Sequence, residues 1–209
     1  MSFVSYFIPQ VVARFSTKYN RDIRIVEESG KLKLLVNGSR QSGEYIEWLW
    51  KKAVAAFGLG SCRSILVLGV GGGTVIHLLH KRYPATQITA VDIDPKMIEI
   101  GKTFFGLDTI PELKLVVADA AEFVKKKIHF DLIIIDLFIG RHIPDFVGDT
   151  KFLTKLKQRG GMVVINYLRE LEYFDKSVEL ENQLKRVFNK VKDFPIARNR
   201  FFLALEARL

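Results

Sequence analysis

"VLGVGGGTVIHLL", residues 67–79, runs from an apolar strand through a cluster of glycines straight into an apolar helix. Glycines at 69, 71, 72 and 73 let the backbone take conformations closed to other residues, and they leave no side chain to hold a ligand away. SILVLG (64–69) reads as a buried strand, and a helical period covers residues 74–81. A strand that enters a helix through glycine begins a sheet whose ligands sit at the strands' carboxyl ends, where the strand order reverses. The spacing Gly69-x-Gly71-x-Gly73 is not the G-x-G-x-x-G of dinucleotide sites. No Lys-Ser/Thr pair follows the glycines, which argues against a nucleoside triphosphate.

Downstream, strands and helices alternate. Strands are read at 87–93, 113–117, 130–136, 162–166, 191–196 and 201–206, and helices at 95–105, 120–126, 150–158 and 171–189. FDLIIID (130–136) is nearly all apolar, as a central strand covered on both faces must be. The pattern predicts an α/β fold with a doubly wound, seven-stranded, mostly parallel, Rossmann-like sheet. Upstream, residues 22–27 and 31–36 alternate polar with apolar around Ser29-Gly30, which predicts a short N-terminal β-hairpin extension. Residues 44–57 read as a helix closed by Gly58 and Gly60. The expected division is 1–43, leader and hairpin, and 44–209, ligand-binding domain.

The 209 residues, 48% hydrophobic and 26% charged, suit one globular body. Cys62 is the single cysteine, so no internal disulfide forms; a structural role and a reducing, cytoplasmic setting are expected. No window approaches the ~20 apolar residues of a membrane span. The apolar leader, MSFVSYFIPQVVARF, lacks a basic start and is broken by Pro9. It is expected to pack on the body or on a second subunit rather than on a membrane surface. The net charge is +9, but the lysines are spread over solvated helix faces with no aromatic-interleaved stripe, so nucleic acid is not the expected partner. An exposed hairpin edge together with the leader predicts a homodimer.

Two carboxylates define the ligand. Asp92, in Val91-Asp92-Ile93-Asp94 at the second strand's end, lies about twenty residues beyond the glycines, where it can accept from both ribose hydroxyls. Asp119 and Ala120 follow the third strand, within reach of an adenine edge. Glycine turn, ribose carboxylate and adenine group at successive strand ends describe a nucleoside pocket without a phosphate clamp. S-adenosylmethionine, or its decarboxylated form, is the expected ligand, with no metal. The bland alternative is that Asp92 and Asp119 cap the helices that follow them.

Residues 25–166 resemble the spermidine synthase-like branch of the S-adenosylmethionine-dependent transferases, a resemblance that implies the Rossmann-like methyltransferase fold. LLVNGSRQSGEYIEWL is similar to that family's hairpin-and-glutamine segment, with Gln41 in the glutamine position and Tyr45 and Glu47 in its Tyr-x-Glu. ILVLGVGGGT resembles the glycine motif, VDIDPKMIEIGKTFF the ribose segment and VADAAEFV the adenine segment. The resemblance implies a donor site of Gln41, Gly69, Gly71, Gly73, Asp92, Ile93, Asp119 and Ala120. It implies catalytic roles for Asp136, which ends the FDLIIID strand, and for Tyr45.

The departures bear on the reaction. The family's aminopropyltransferases carry Asp within the glycine motif, where this chain has Gly72. They carry a second Asp beyond the fourth strand, where this chain has Ile139. An alkylammonium must lose a proton before it attacks, and a placed carboxylate contributes ~10²–10⁴-fold to that step. Asp136 alone, or with Glu47 or Asp145, has to serve. The expected function is therefore methyl or other alkyl transfer to a small-molecule acceptor of unknown identity. The alternatives are an aminopropyltransferase with a rearranged base and a nucleoside-binding protein without chemistry. His77 and His80 lack a third metal ligand and read as a packed or solvated face. His142 is a second candidate base, and Trp48 and Trp50 read as core or subunit contacts.

Overall fold

The structure, a computed structural model, describes residues 3–206. A 3-10 turn (Phe3–Tyr6) leads into four strands, β1 (Gln10–Phe15), β2 (Ile23–Glu28), β3 (Lys31–Val36) and β4 (Ser39–Arg40), paired antiparallel in chain order. The hairpin is β2–β3; β1 enlarges it beyond the expected extension. A bulge between Val11 and Ala13 shifts the register of β1 on β2, so the strand shows no clean two-residue period in sequence. Ile23, Ile25, Leu34 and Val36 of this sheet pack on Met97 and Ile100.

Then follow α1 (Glu44–Phe57), β5 (Ser64–Leu68), α2 (Thr74–Arg82), β6 (Gln87–Asp92), α3 (Pro95–Phe105), β7 (Leu113–Val117), α4 (Ala120–Phe123), β8 (Phe130–Ile135), α5 (Thr150–Arg159), β9 (Gly160–Leu168), α6 (Tyr173–Val187), β10 (Lys190–Ile196) and β11 (Asn199–Leu205). The seven strands after α1 form one sheet in the order β10-β11-β9-β8-β5-β6-β7. β7, β6, β5, β8 and β9 are parallel; β11 and β10 close the edge antiparallel. Along β5, Ile65 and Val67 join a core with α1 and α2, while Leu66 and Leu68 join one with α4, α5 and α6. Both faces are covered, which is why the central strands read as continuous apolar runs.

Helix ends follow local chemistry. Asp94 caps α3 by accepting from the Lys96 N–H at 3.0 Å, with Pro95 in the first turn. Gly58 ends α1 with φ 59°. α4 is shorter than expected because the chain tightens into i→i+3 bonds, Lys125 N–H to Glu122 and Lys126 N–H to Phe123. α6 starts late because Leu171 has φ 53°, outside helical space. No helix among the described residues is long and apolar enough to cross a membrane.

Candidate active site

β5 and β8 lie side by side where the strand order reverses, and their ends are welded together. The Asp136 N–H donates to the Leu68 carbonyl at 2.8 Å, while on the other side of β5 the Gly69 N–H donates to the Val91 carbonyl of β6 at 2.8 Å. Gly69 has φ 96°, and a Cβ there would lie 2.1 Å from the Asp136 carbonyl oxygen. Only glycine lets the two strand exits come this close.

The Asp92 carboxylate sits under the turn. Its Oδ2 accepts from the Val70 N–H at 3.0 Å and its Oδ1 from the Asp94 N–H at 2.9 Å. Burial pushes its carboxyl up from the usual range, opposed by those backbone donors. A carboxylate offers about four lone-pair positions, so two backbone bonds leave capacity for hydroxyls. Gly69, Gly71, Asp92 and Ile93 line one cleft together with Gln41, Asp136 and Ile139. Gly73 does not: its Cβ would meet Leu107 at 2.5 Å, so its openness serves helix packing. Asp119 caps α4 through the Ala121 N–H at 2.7 Å. Neither it nor the buried Ala120 lines the enclosed cleft.

Tyr19 and Asn20 close that cleft from the side of the N-terminal sheet. The Thr17 hydroxyl (2.6 Å) and the Asn20 amide (2.9 Å) both donate to Asp94 Oδ2, which latches this loop over the strand ends. The enclosed space is about 50 Å³, whereas small-molecule sites run about 300–1,000 Å³. The donor set, a desolvated carboxylate beside open glycines and no cationic clamp, fits a nucleoside with a sulfonium. Its entry requires the loop over the cleft to yield.

A second cavity of about 270 Å³ opens on the other side of Asp136. Gln41, Asp136 and Phe138 line both. The Gln41 amide donates to the Gly140 carbonyl at 2.6 Å and so ties β4 to the loop after β8. Asp136 is held on both oxygens: Oδ1 accepts from the Asn166 amide at 2.8 Å and Oδ2 from the Trp50 indole N–H at 3.3 Å. Asn166 in turn accepts from the Asn199 amide at 2.8 Å. Desolvation pushes the Asp136 carboxyl up to about 6, against the two hydrogen bonds that favour its ionised form.

In sequence Trp50 reads as a core or subunit contact, and neither Asn166 nor Asn199 stands out. A signal exists: Asn166 is a lone amide in the apolar run MVVINYL, and the β8–β9 pairing of Ile135 with Ile165 puts it level with Asp136. The other candidates lie elsewhere. Glu47 pairs with Lys51 on the outer face of α1, and Asp145 is exposed beside Lys176 at 3.6 Å. His142 lies 3.4 Å from the Tyr173 hydroxyl and lines a separate recess. His77 Nε2 contacts the Phe105 carbonyl at 2.6 Å, and no group of three metal-ligating side chains occurs among the described residues. Tyr45 reaches the second cavity and stacks on the exposed Trp48, with ring centroids 6.0 Å apart.

Gly72 explains one departure. A Cβ at this position would lie 2.5 Å from Ser42 Cβ, and Ser42 Oγ accepts from the Leu34 N–H at 2.9 Å. The space an aspartate side chain would need here is taken by a serine that holds β3. Gly72→Asp is therefore expected to cost about 1–3 kcal/mol by overpacking, read from the urea midpoint. Ser42→Gly in the same chain should recover part of the loss, and an unchanged midpoint in Gly72→Asp would show that the site is open.

Known proteins share this fold and stretches of this sequence. Residues 50–191 match the model of the spermine/spermidine synthase domain. An eEF1A lysine and N-terminal methyltransferase homolog of Drosophila melanogaster is 32% identical over 147 residues, covering 64% of this chain and 22% of that protein. A polyamine aminopropyltransferase of Vibrio vulnificus is 28% identical over 151 residues, covering 68% of this chain and 50% of that protein. This chain thus spans half or less of the length of these relatives. Human methyltransferase-like protein 13, solved with SAH, superposes with TM-score 0.60 at 25% identity, covering 68% of this chain and 71% of that one. A probable spermidine synthase from Corynebacterium glutamicum superposes with TM-score 0.76 at 21% identity, covering 94% and 80%, a likeness of fold. With 142 consecutive positions matched from α1 to β10, the chain belongs to the spermine/spermidine synthase domain family.

Proposed function

We propose that this protein is a group transferase that uses S-adenosylmethionine and moves a methyl group to a small acceptor. The observation that carries the reading is that one desolvated carboxylate, Asp136, lines both the glycine-turn cleft and the second cavity. A donor in the first and an acceptor in the second would meet at that group. The bound sulfonium supplies an electrophilic carbon. The chain's part is positioning: Asp92 holds the ribose hydroxyls, Gly69 and Gly71 admit the ligand, and Gln41 fixes the wall between the two cavities. Ile93 lines the same cleft as Asp92, whereas Gly73, Asp119 and Ala120, which the resemblance implies for the donor side, stand outside its enclosed part. Asp136 takes the proton of the attacking N–H or O–H, with Tyr45 against the acceptor.

Methyl transfer is preferred to aminopropyl transfer because the carboxylates that would hold a polyamine are missing. Ile139 presents an apolar side chain to the cleft, and Gly72 is filled against Ser42. Product analysis separates the two: S-adenosylhomocysteine marks methyl transfer, methylthioadenosine marks aminopropyl transfer. Neither product, with donor binding intact, would leave a nucleoside-binding role. A homodimer in a reducing, cytoplasmic setting completes the reading. It is supported by the edge strand β1, by the exposed Phe7, Ile8, Val11 and Val12, and by the free, buried Cys62.

Asp92→Ala is expected to weaken S-adenosylmethionine binding by about 1.5–3 kcal/mol, the worth of hydrogen bonds to a charged group. Calorimetry on folded protein checks it, and equal affinity in wild type and variant would remove Asp92 from the ribose.

A further inference from the structure

The second cavity is basic at its mouth. Three arginines converge on it from separate parts of the chain: Arg40 from β4, Arg141 from the loop after β8, and Arg198 from the turn between β10 and β11. Their side chains are 41%, 52% and 69% exposed, so their guanidinium groups are open to solvent. Among the described residues, Glu170 is the one acidic side chain at this mouth, with Asp136 at the floor. Glu170 Oε1 accepts from Arg141, and Glu170 Oε2 pairs with Arg198 Nε at 3.2 Å. One carboxylate is thus shared between two guanidinium groups. Each guanidinium has five N–H donors, so each keeps donors for a further oxyanion. Glu170 fixes the two arginines at the rim and leaves them donors to spare, and Arg40 adds a third guanidinium, paired at 3.7 Å with Glu28, which also holds Lys33.

A polyamine needs the opposite. Its ammonium groups lose water only where carboxylates replace it, and here they would meet three guanidinium groups and an already bridged glutamate. An oxyanion suits the mouth, because a guanidinium fork matches carboxylate and phosphate geometry. The volume, about 270 Å³, restricts the occupant to a small molecule.

We propose that the acceptor is a small acid, carrying a carboxylate or phosphate that Arg141 and Arg198 grip at the mouth while its amine or hydroxyl points down to Asp136. This rests on the transferase reading above. The acceptor's lone pair forms a bond to the methyl carbon of S-adenosylmethionine. The carbon–sulfur bond breaks and its electron pair stays on sulfur, giving the neutral thioether. The acceptor's proton passes to the Asp136 carboxylate and then to water. Arg141 and Arg198 bind and orient; they take no proton.

The test titrates the full chain, with and without S-adenosylhomocysteine, with L-glutamate, O-phosphoethanolamine and putrescine at equal ionic strength. At least one of the two acids should bind, and which one distinguishes carboxylate from phosphate. Putrescine should not bind. Arg141→Gln and Arg198→Gln should each weaken the acid at least tenfold, whereas Lys114→Gln, the same charge change on the distant β7, should not. Glu170→Gln, which removes the competing carboxylate, should bind the acid as well as wild type or better. Binding of putrescine in preference to both acids, binding of none of the three, or acid binding indifferent to both arginine changes overturns the proposal. Failure of S-adenosylhomocysteine to bind, with arginine-dependent acid binding intact, would count against the transferase reading and leave the anion site standing.

Discussion

Asp136→Asn should lower the rate of transfer by about 10²–10⁴-fold, the usual worth of a positioned general base, while donor binding stays at its wild-type value. The carboxylate ends the strand beside the glycine turn and lines both cavities, and in the proposed reaction it takes the acceptor's proton. An asparagine keeps the shape but accepts no proton. The folding cost is small: Trp50 and Asn166 both donate to Asp136, and an amide has one acceptor oxygen for those two donors. That mismatch costs about 1–3 kcal/mol, offset by no longer keeping a charge out of water. In the wild type the rate should rise with pH through about 6, where the desolvated carboxyl ionises. Stability runs the other way. The folded pKa lies above the unfolded value near 3.9, so the native state binds the proton more tightly. Stability from this group is fully present below about pH 4. It is lost as pH rises towards 6, by up to about 3 kcal/mol. The asparagine variant should lack that slope. Undiminished turnover in the variant, on any acceptor that shows activity, would assign the proton to another group.

The parts of this fold legible in sequence are those where local chemistry and packing agree. α3 has its capping Asp94, Pro95 in the first turn and Gly106 at its end with φ 65°. It runs over residues 95–105, as the sequence predicts. β8 reads as central because both of its faces are apolar. β1 was hidden because its bulge breaks the alternation that marks a strand. The site divides in the same way. Asp92 and Asp136 sit at strand ends, which sequence can locate. Trp50, Asn166 and Asn199 reach Asp136 from α1, β9 and β11, brought together by the sheet order and not by any local pattern. The arginines of the second cavity were invisible for the same reason: residues 40, 141 and 198 meet only after the N-terminal sheet, the loop after β8 and the closing hairpin have packed. The spread of lysines along the chain concealed that the second cavity has a sign of its own.

The glycine turn makes the sharpest stability prediction, because neighbouring glycines there do different work. Gly69→Ala should destabilise the fold by about 3–5 kcal/mol, at the upper end of single substitutions. Two costs add. At φ 96° an alanine is strained by about 1–3 kcal/mol. Its Cβ would also lie 2.1 Å from a backbone oxygen, that of Asp136. Nothing flexible can yield, since that oxygen belongs to the segment whose N–H is bonded to Leu68. Relief requires β5 and β8 to part at their ends, which pulls Asp136 away from Trp50 and Asn166. Gly71→Ala is the control. Its φ is 50°, within the left-handed region that alanine enters at modest cost, and the nearest atom to its Cβ is the Gln41 carbonyl oxygen at 3.6 Å. It should cost about 1 kcal/mol, and its methyl group would project into the donor cleft, so the larger loss should be in S-adenosylmethionine affinity. Urea denaturation and calorimetry on the two variants separate the effects. Equal midpoints for Gly69→Ala and Gly71→Ala would mean that the two strand exits are not held as closely as their hydrogen bonds indicate. The order of the two losses follows from backbone contact alone, so it should hold whatever the acceptor proves to be.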